Sequence, residues 1–148
     1  MTNFSELLDT NPQIKIKICL SAITDNGCPC CKLTVNGSTR YDGMLTGPVA
    51  LEFLVGLMDP IGIEIMMSGK NYSAEKETAI VLDAIAIDSF EIVPEWTHLA
   101  KYENERGIDS PTSYLGFNGV WRVDINEPFY RWRHRVTSQG WLLEPVKA

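Results

Sequence analysis

The sequence predicts an all-β protein: an antiparallel β-sandwich, jelly-roll-like, with a short C-terminal helix. Three observations carry this. Apolar residues alternate with other residues, strand after strand, between Ile14 and Ile92. Asn-Gly and Asp-Gly pairs, the dipeptides of tight hairpin turns, punctuate that run. A helical spacing appears only near the C-terminus, after Pro128.

In chain order, Phe4 to Leu8 suits one short helical turn that Asn11-Pro12 would stop. Ile14, Ile16, Ile18 and Leu20 then point one way and Lys15, Lys17, Cys19 and Ser21 the other, the signature of a strand with one dry and one wet face. Asp25-Asn26-Gly27 ends it. Lys32 to Val35 forms a second strand, Asn36-Gly37 a type I′ turn, Ser38 to Tyr41 the return, and Asp42-Gly43 a further turn. Val49, Leu51, Phe53, Val55 and Leu57 alternate, as do Ile61, Ile63, Ile65 and Met67 beyond Asp59-Pro60.

Ile80 to Ile92 is nearly continuous apolar sequence. Its β-branched content argues for strand, either two strands joined at Asp88-Ser89 or one bent strand. Glu95 to Thr112 loses all periodicity and reads as a long ordered loop with room for a short helix. Tyr114 to Phe117, Asn118-Gly119 and Val120 to Ile125 read as a hairpin, with Trp121, Val123 and Ile125 facing the core. Pro128 suits the first position of a helix; Phe129, Trp132 and Val136 follow helical spacing, Gly140 is a stop, and Trp141 is a final apolar anchor. No repeat or linker divides the chain. One domain over residues 1–148 is expected, with an arginine- and aromatic-rich elaboration from about residue 113 onward.

With 13 basic and 19 acidic residues the chain carries a net charge of −6. Generic nucleic-acid binding, which needs a basic face, is disfavoured. No stretch approaches the roughly 20 apolar residues of a membrane span. The N-terminus lacks the basic and apolar regions of a secretory signal, so synthesis and folding in a cytoplasm are expected. Cys19, Cys28, Cys30 and Cys31 are then expected as thiols; the C-x-C-C spacing departs from the C-x₂-C of zinc knuckles, and no metal site is assigned.

Enzyme signatures are absent. His98 and His134 have no adjacent nucleophile or ligand motif, and no phosphate loop or nucleophile elbow occurs. A non-enzyme is expected, without a cofactor. Asp83 and Asp88, set in apolar sequence, leave calcium open as an alternative to ion pairing or edge exposure.

The most unusual composition lies at Phe129-Tyr130-Arg131-Trp132-Arg133-His134-Arg135, which holds three of the six arginines beside three aromatics. Tyr130, Arg131, Arg133 and Arg135 are assigned as partner-binding residues, because Arg, Tyr and Trp dominate interface hot spots. The bland alternative is an amphipathic helix that buries Phe129, Trp132 and Val136 and solvates its arginines. Glu75 to Asp109, with nine acids and three bases, is the complementary surface, in the same chain or a neighbour's. Trp96 and Tyr102 are the candidate glycan platform, since aromatic faces stack on pyranose rings.

The strand Ile14-Lys15-Ile16-Lys17-Ile18, the strand-turn Leu33-Thr34-Val35-Asn36-Gly37 and the segment Ile85-Ala86-Ile87-Asp88 resemble those of small β-sandwich carbohydrate-binding modules of the xylan-binding kind, over about half the chain. The whole chain resembles small virion-type proteins of marine tailed bacteriophages. That resemblance implies a virion component assembled in the host cytoplasm. The expected role is a structural or accessory module of a phage particle, either capsid decoration or tail-associated. It would act through protein–protein contacts, as a homo-oligomer or in a lattice. The alternative is a carbohydrate-binding, lectin-like module, free or virion-borne.

Overall fold

A computed structural model describes residues 12–70, 75–93, 96–109 and 112–137. The segments expected to hold the first helical turn and Trp141 lie outside them. Two antiparallel sheets face each other. The first has five strands in the order β10-β6-β1-β4, with β7 also on β6: β1 (Gln13–Thr24), β4 (Val49–Gly56), β6 (Thr78–Ile87), β7 (Phe90–Val93) and β10 (Tyr114–Leu115). The second has six in the order β3-β2-β5-β11-β8-β9: β2 (Cys30–Val35), β3 (Ser38–Met44), β5 (Ile61–Ser68), β8 (Lys101–Asn104), β9 (Gly107–Asp109) and β11 (Gly119–Ile125).

Alternation decides which side chains meet between the sheets. Ile16, Ile18 and Leu20 of β1 and Leu33, Ile63, Ile65 and Trp121 of the facing sheet are all fully buried. β6 keeps its apolar residues inside by breaking its own period. Ala84 pairs with Cys19 and Leu82 with Leu20, so Asp83 is an extra residue, a β-bulge. Ile80 and Leu82 before it, and Ile85 and Ile87 after it, all face the core. An unbroken period would have turned Ile85 and Ile87 to solvent. Asp83 itself is exposed and accepts a hydrogen bond from Ser21 Oγ at 3.1 Å, so it is not a buried carboxylate.

β6 and β7 are two strands joined at Asp88-Ser89. Both turn residues have positive φ, 48° and 68°, the type I′ conformation also adopted by Asn36-Gly37. A serine in the left-handed region costs about 1–2 kcal/mol, and glycine gives back part of the difference through its freer unfolded state. Ser89→Gly should therefore stabilise the fold by about 0.5–1 kcal/mol. Chemical denaturation should show a raised midpoint with an unchanged slope.

Three local expectations are corrected. Asp42-Gly43 is not a turn: β3 runs on, pairing Asp42 with Lys32 and Gly43 with Cys31. Residues 101–109 are not loop: β8 and β9 form a hairpin on the edge of the six-stranded sheet. Only Tyr102 of β8 is buried, so that strand has no apolar alternation to read. Asn118-Gly119 does not join a hairpin. β10 pairs with β6 in one sheet and β11 with β5 and β8 in the other, so residues 116–118 carry the chain between sheets. Gly119 is needed there because a Cβ would lie 2.3 Å from the Glu103 carbonyl oxygen.

The C-terminal helix is formed over 129–137, as far as the described residues reach. Phe129 and Trp132 are buried against Phe90, whose ring lies 5.8 Å from Trp132 and 5.8 Å from Trp96. Among the described residues no helix is long and apolar enough to cross a membrane.

Candidate functional site

A concavity of about 330 Å³ opens at one end of the sandwich where the chain crosses from β10 to β11. Its polar centre is Lys70, just past the end of β5. The Lys70 side chain is only 6% exposed and its ammonium ion-pairs with Glu77, which precedes β6 and is 39% exposed. The ammonium also donates to the Gly116 carbonyl and lies 5.6 Å from the Phe117 ring centroid. Each donor that burial removes from water is thereby met by an acceptor or a π face.

Glu77 is held from three sides. Lys70 and the Thr78 backbone N–H (3.0 Å) donate to Oε1, and the Tyr114 hydroxyl donates to Oε2 at 2.6 Å. The Lys70 and Tyr114 hydrogen bonds hold the Glu77 carboxyl below the usual carboxylate range. Burial, then the adjoining Glu77, pushes the Tyr114 phenol up to about 12, so it stays a neutral donor. A carboxylate offers about four lone-pair positions. Three are filled among the described contacts, and the Glu77 side chain remains 39% exposed beside Tyr114, a residue 40% exposed.

The walls are braced from the core. Tyr102 Oη donates to the Phe117 carbonyl and accepts from the Phe117 N–H at 3.0 Å. Trp121 Nε1 donates to the Thr112 carbonyl at 3.0 Å, and Lys70 N–H to Asn118 Oδ1 at 3.0 Å. The site is a pre-formed cup with one exposed aromatic ring, a fixed ionised carboxylate and a cation at its base.

Of the residues singled out from sequence only Tyr102 lines this concavity, and it does so from inside the core. Tyr102 is 1% exposed, with its hydroxyl used inside the fold, so it presents no face to a glycan; that assignment is corrected. Trp96 is half-buried, stacked on Phe90 at 28° between ring planes. Tyr130, Arg131, Arg133 and Arg135 do share the helix. Tyr130 Oη donates to Asp88, which raises the phenol's pKa, and the Arg133 guanidinium lies 5.0 Å from the Tyr130 ring centroid. Arg135 pairs with Glu127 at 2.7 Å, and Arg131 is exposed.

The four cysteines are free thiols. Cys30 and Cys31 are successive strand residues and point to opposite faces. Burial, aided by Asp42, pushes the Cys31 thiol up to about 12, which disfavours the thiolate a metal needs. Among the described residues no three His, Cys, Asp or Glu side chains gather as they would around a metal ion.

Lys70, Glu77, Tyr114 and Phe117 went unnoticed in the sequence. Only the polar residues beside strand ends, Lys70 after Gly69 and Glu77 before Thr78, hinted at the first two.

The fold and site define an antiparallel β-sandwich with an aromatic and charged concavity at one end. No protein-family model matches the chain. No curated protein matches it either. Among solved structures it is similar to vCBM60 in complex with galactobiose (TM-score 0.49, 13% identity, covering 76% of this chain and 97% of that one). It is also similar to the selenomethionine form of vCBM60, described with two families of calcium-dependent carbohydrate-binding modules linked by circular permutation (0.48, 13%, 77% and 91%). A C2 domain-containing protein from a putative elicitor-responsive gene gives 0.32 at 13% identity, covering 80% and 91%.

Proposed function

We propose that the chain is a non-catalytic carbohydrate-binding module, and that the end concavity takes a sugar residue of a glycan. One observation carries this: the exposed Tyr114 ring stands beside a partly exposed carboxylate fixed by Lys70. A pyranose offers an apolar C–H face for the ring and hydroxyls for the carboxylate. The site needs no rearrangement to receive both, which limits the ordering cost of binding. Among the described residues lining the cup, no second carboxylate stands beside Glu77 to form an acid–base pair.

The phage-particle reading rests on the whole-chain resemblance, with Arg131, Arg133 and Arg135 as its means of gripping a neighbour. Two of these are engaged within the chain, Arg133 on Tyr130 and Arg135 with Glu127, so the sugar reading takes precedence. It applies equally to a free module and to one carried on a virion.

The test is isothermal titration with β-linked xylo- and galacto-oligosaccharides. Tyr114→Ala should weaken the best ligand at least about tenfold, equivalent to about 1.4 kcal/mol. Tyr114→Phe, which keeps the ring, should lose much less. Unchanged affinity in Tyr114→Ala would remove the end concavity from the function.

A further inference from the structure

We infer a second glycan-binding surface, on the solvent face of the six-stranded sheet, built around Gly62. The observation that points to it is a glycine with no backbone reason to be there. Gly62 is the second residue of β5, paired with Asp124 of β11 and, where β2 has ended, hydrogen-bonded to Asn36; it is not among the positive-φ glycines. Glycine in a strand interior loses conformational entropy and packs nothing; such positions often mark the close approach of a ligand or another backbone. Here a Cβ would meet no backbone, only the ends of two side chains, Asp124 Oδ1 at 3.2 Å and Asn36 Oδ1 at 3.8 Å.

The missing side chain forms the floor of a concavity of about 270 Å³ walled by Thr34, Asn36, Glu64, Arg122 and Asp124. The walls are fixed. Asn36 sits in the type I′ turn with φ 52°, and its Oδ1 accepts the Gly62 N–H at 2.7 Å while its own N–H donates to the Gly62 carbonyl at 2.9 Å. Arg122 ion-pairs with Glu64 across the strands and lies 3.7 Å from Asp124. Of two neighbouring concavities, one of about 260 Å³ shares Arg122 and Asp124 with this one, the other of about 140 Å³ shares Thr34 and Glu64, and the two meet each other at Val120. Together they make a trough that crosses β2, β5, β11 and β8.

Charge selects the occupant. Lys32, Lys101 and Arg122 are interleaved with Glu64, Glu103 and Asp124, three of each sign. A polyanion or polycation would meet as much repulsion as attraction. A neutral ligand carrying many hydroxyls, each both donor and acceptor, matches the alternation, and the trough's length suits several linked sugars. The inference shares with the proposed function only its ligand class; its residues are separate from the end concavity.

The test measures binding of neutral β-linked hexasaccharides of xylose, galactose and glucose to the parent, Gly62→Val, Gly62→Ala and Tyr114→Ala, with a sulfated hexasaccharide as the charged probe. Valine favours an exposed strand position, so the Gly62→Val unfolding midpoint should be unchanged or raised while hexasaccharide affinity falls at least about tenfold, with Gly62→Ala between valine and parent. Loss in Gly62→Val with full binding in Tyr114→Ala supports the sheet surface and removes the end concavity. Loss in Tyr114→Ala with full binding in Gly62→Val overturns this inference and leaves the proposed function standing. Binding confined to the sulfated probe, or no binding by the parent, also overturns it.

Discussion

Trp121→Ala should destabilise the protein by about 3–5 kcal/mol, the range for emptying a fully buried aromatic site. Trp121 is 0% exposed, sits on β11 opposite Ile65 and Tyr102, and belongs to the single continuous core. Its removal does two things at once. It leaves a cavity between the sheets, and it takes the indole donor from the Thr112 carbonyl in the wall of the end concavity. Trp121→Phe separates the two. Most of the volume is kept and the hydrogen bond is lost, so the cost should fall to about 1–3 kcal/mol. Urea denaturation of both variants measures the difference. A loss under 1 kcal/mol for Trp121→Ala would mean that the indole does not hold the two sheets together as described.

Glu77→Leu is the second large effect. It strands the Lys70 ammonium, 6% exposed, without its counter-charge. Removing one partner of a buried pair costs about 3–5 kcal/mol. Glu77 lies on the open side of the cup, so solvent relieves part of this and about 2–4 kcal/mol is expected. Lys70→Met should cost less, because the carboxylate left behind can be hydrated. The double variant Lys70→Met/Glu77→Leu should be more stable than Glu77→Leu alone, and that recovery is the coupling a double-mutant cycle reads.

The parent's pH dependence follows from the same pair. The Glu77 carboxyl is held lower in the folded chain than in the unfolded one. Its contribution is therefore fully present above the ordinary carboxylate pKa, about 4.3, and is lost as pH falls through the folded value. Glu77→Leu should lack that component of the acid transition. An additive double variant and an unaltered acid limb would together show that the pair contributes nothing.

Some of this was legible in the chain and some was not, for physical reasons that differ residue by residue. Ile14 to Leu20, Ile61 to Met67 and Trp121 to Ile125 were readable because each buries one face only, and period two reports that directly. Asn36-Gly37 was readable because a type I′ turn needs two positive φ angles and few residue pairs supply them. Phe129, Trp132 and Val136 were readable from helical spacing. β8 was not, because this strand of an edge hairpin buries a single residue, Tyr102, and the apparent candidate platform was in fact its anchor. The bulge at Asp83 hid in the sequence as an odd charge in an apolar run; only pairing with β1 shows it as the residue that resets the period.

By itself, then, the sequence determined the two-sheet architecture, most strand faces, the principal turn and the amphipathic C-terminal helix, since these depend on neighbours a few residues apart. The tertiary structure alone decided the sites. Lys70 and Glu77 meet Tyr114 across a chain crossing between sheets, and Gly62 meets Asn36 of the β2–β3 turn and Asp124 of β11. Nothing in local spacing encodes such meetings, because which strands become neighbours is set by how two whole sheets bury a common core.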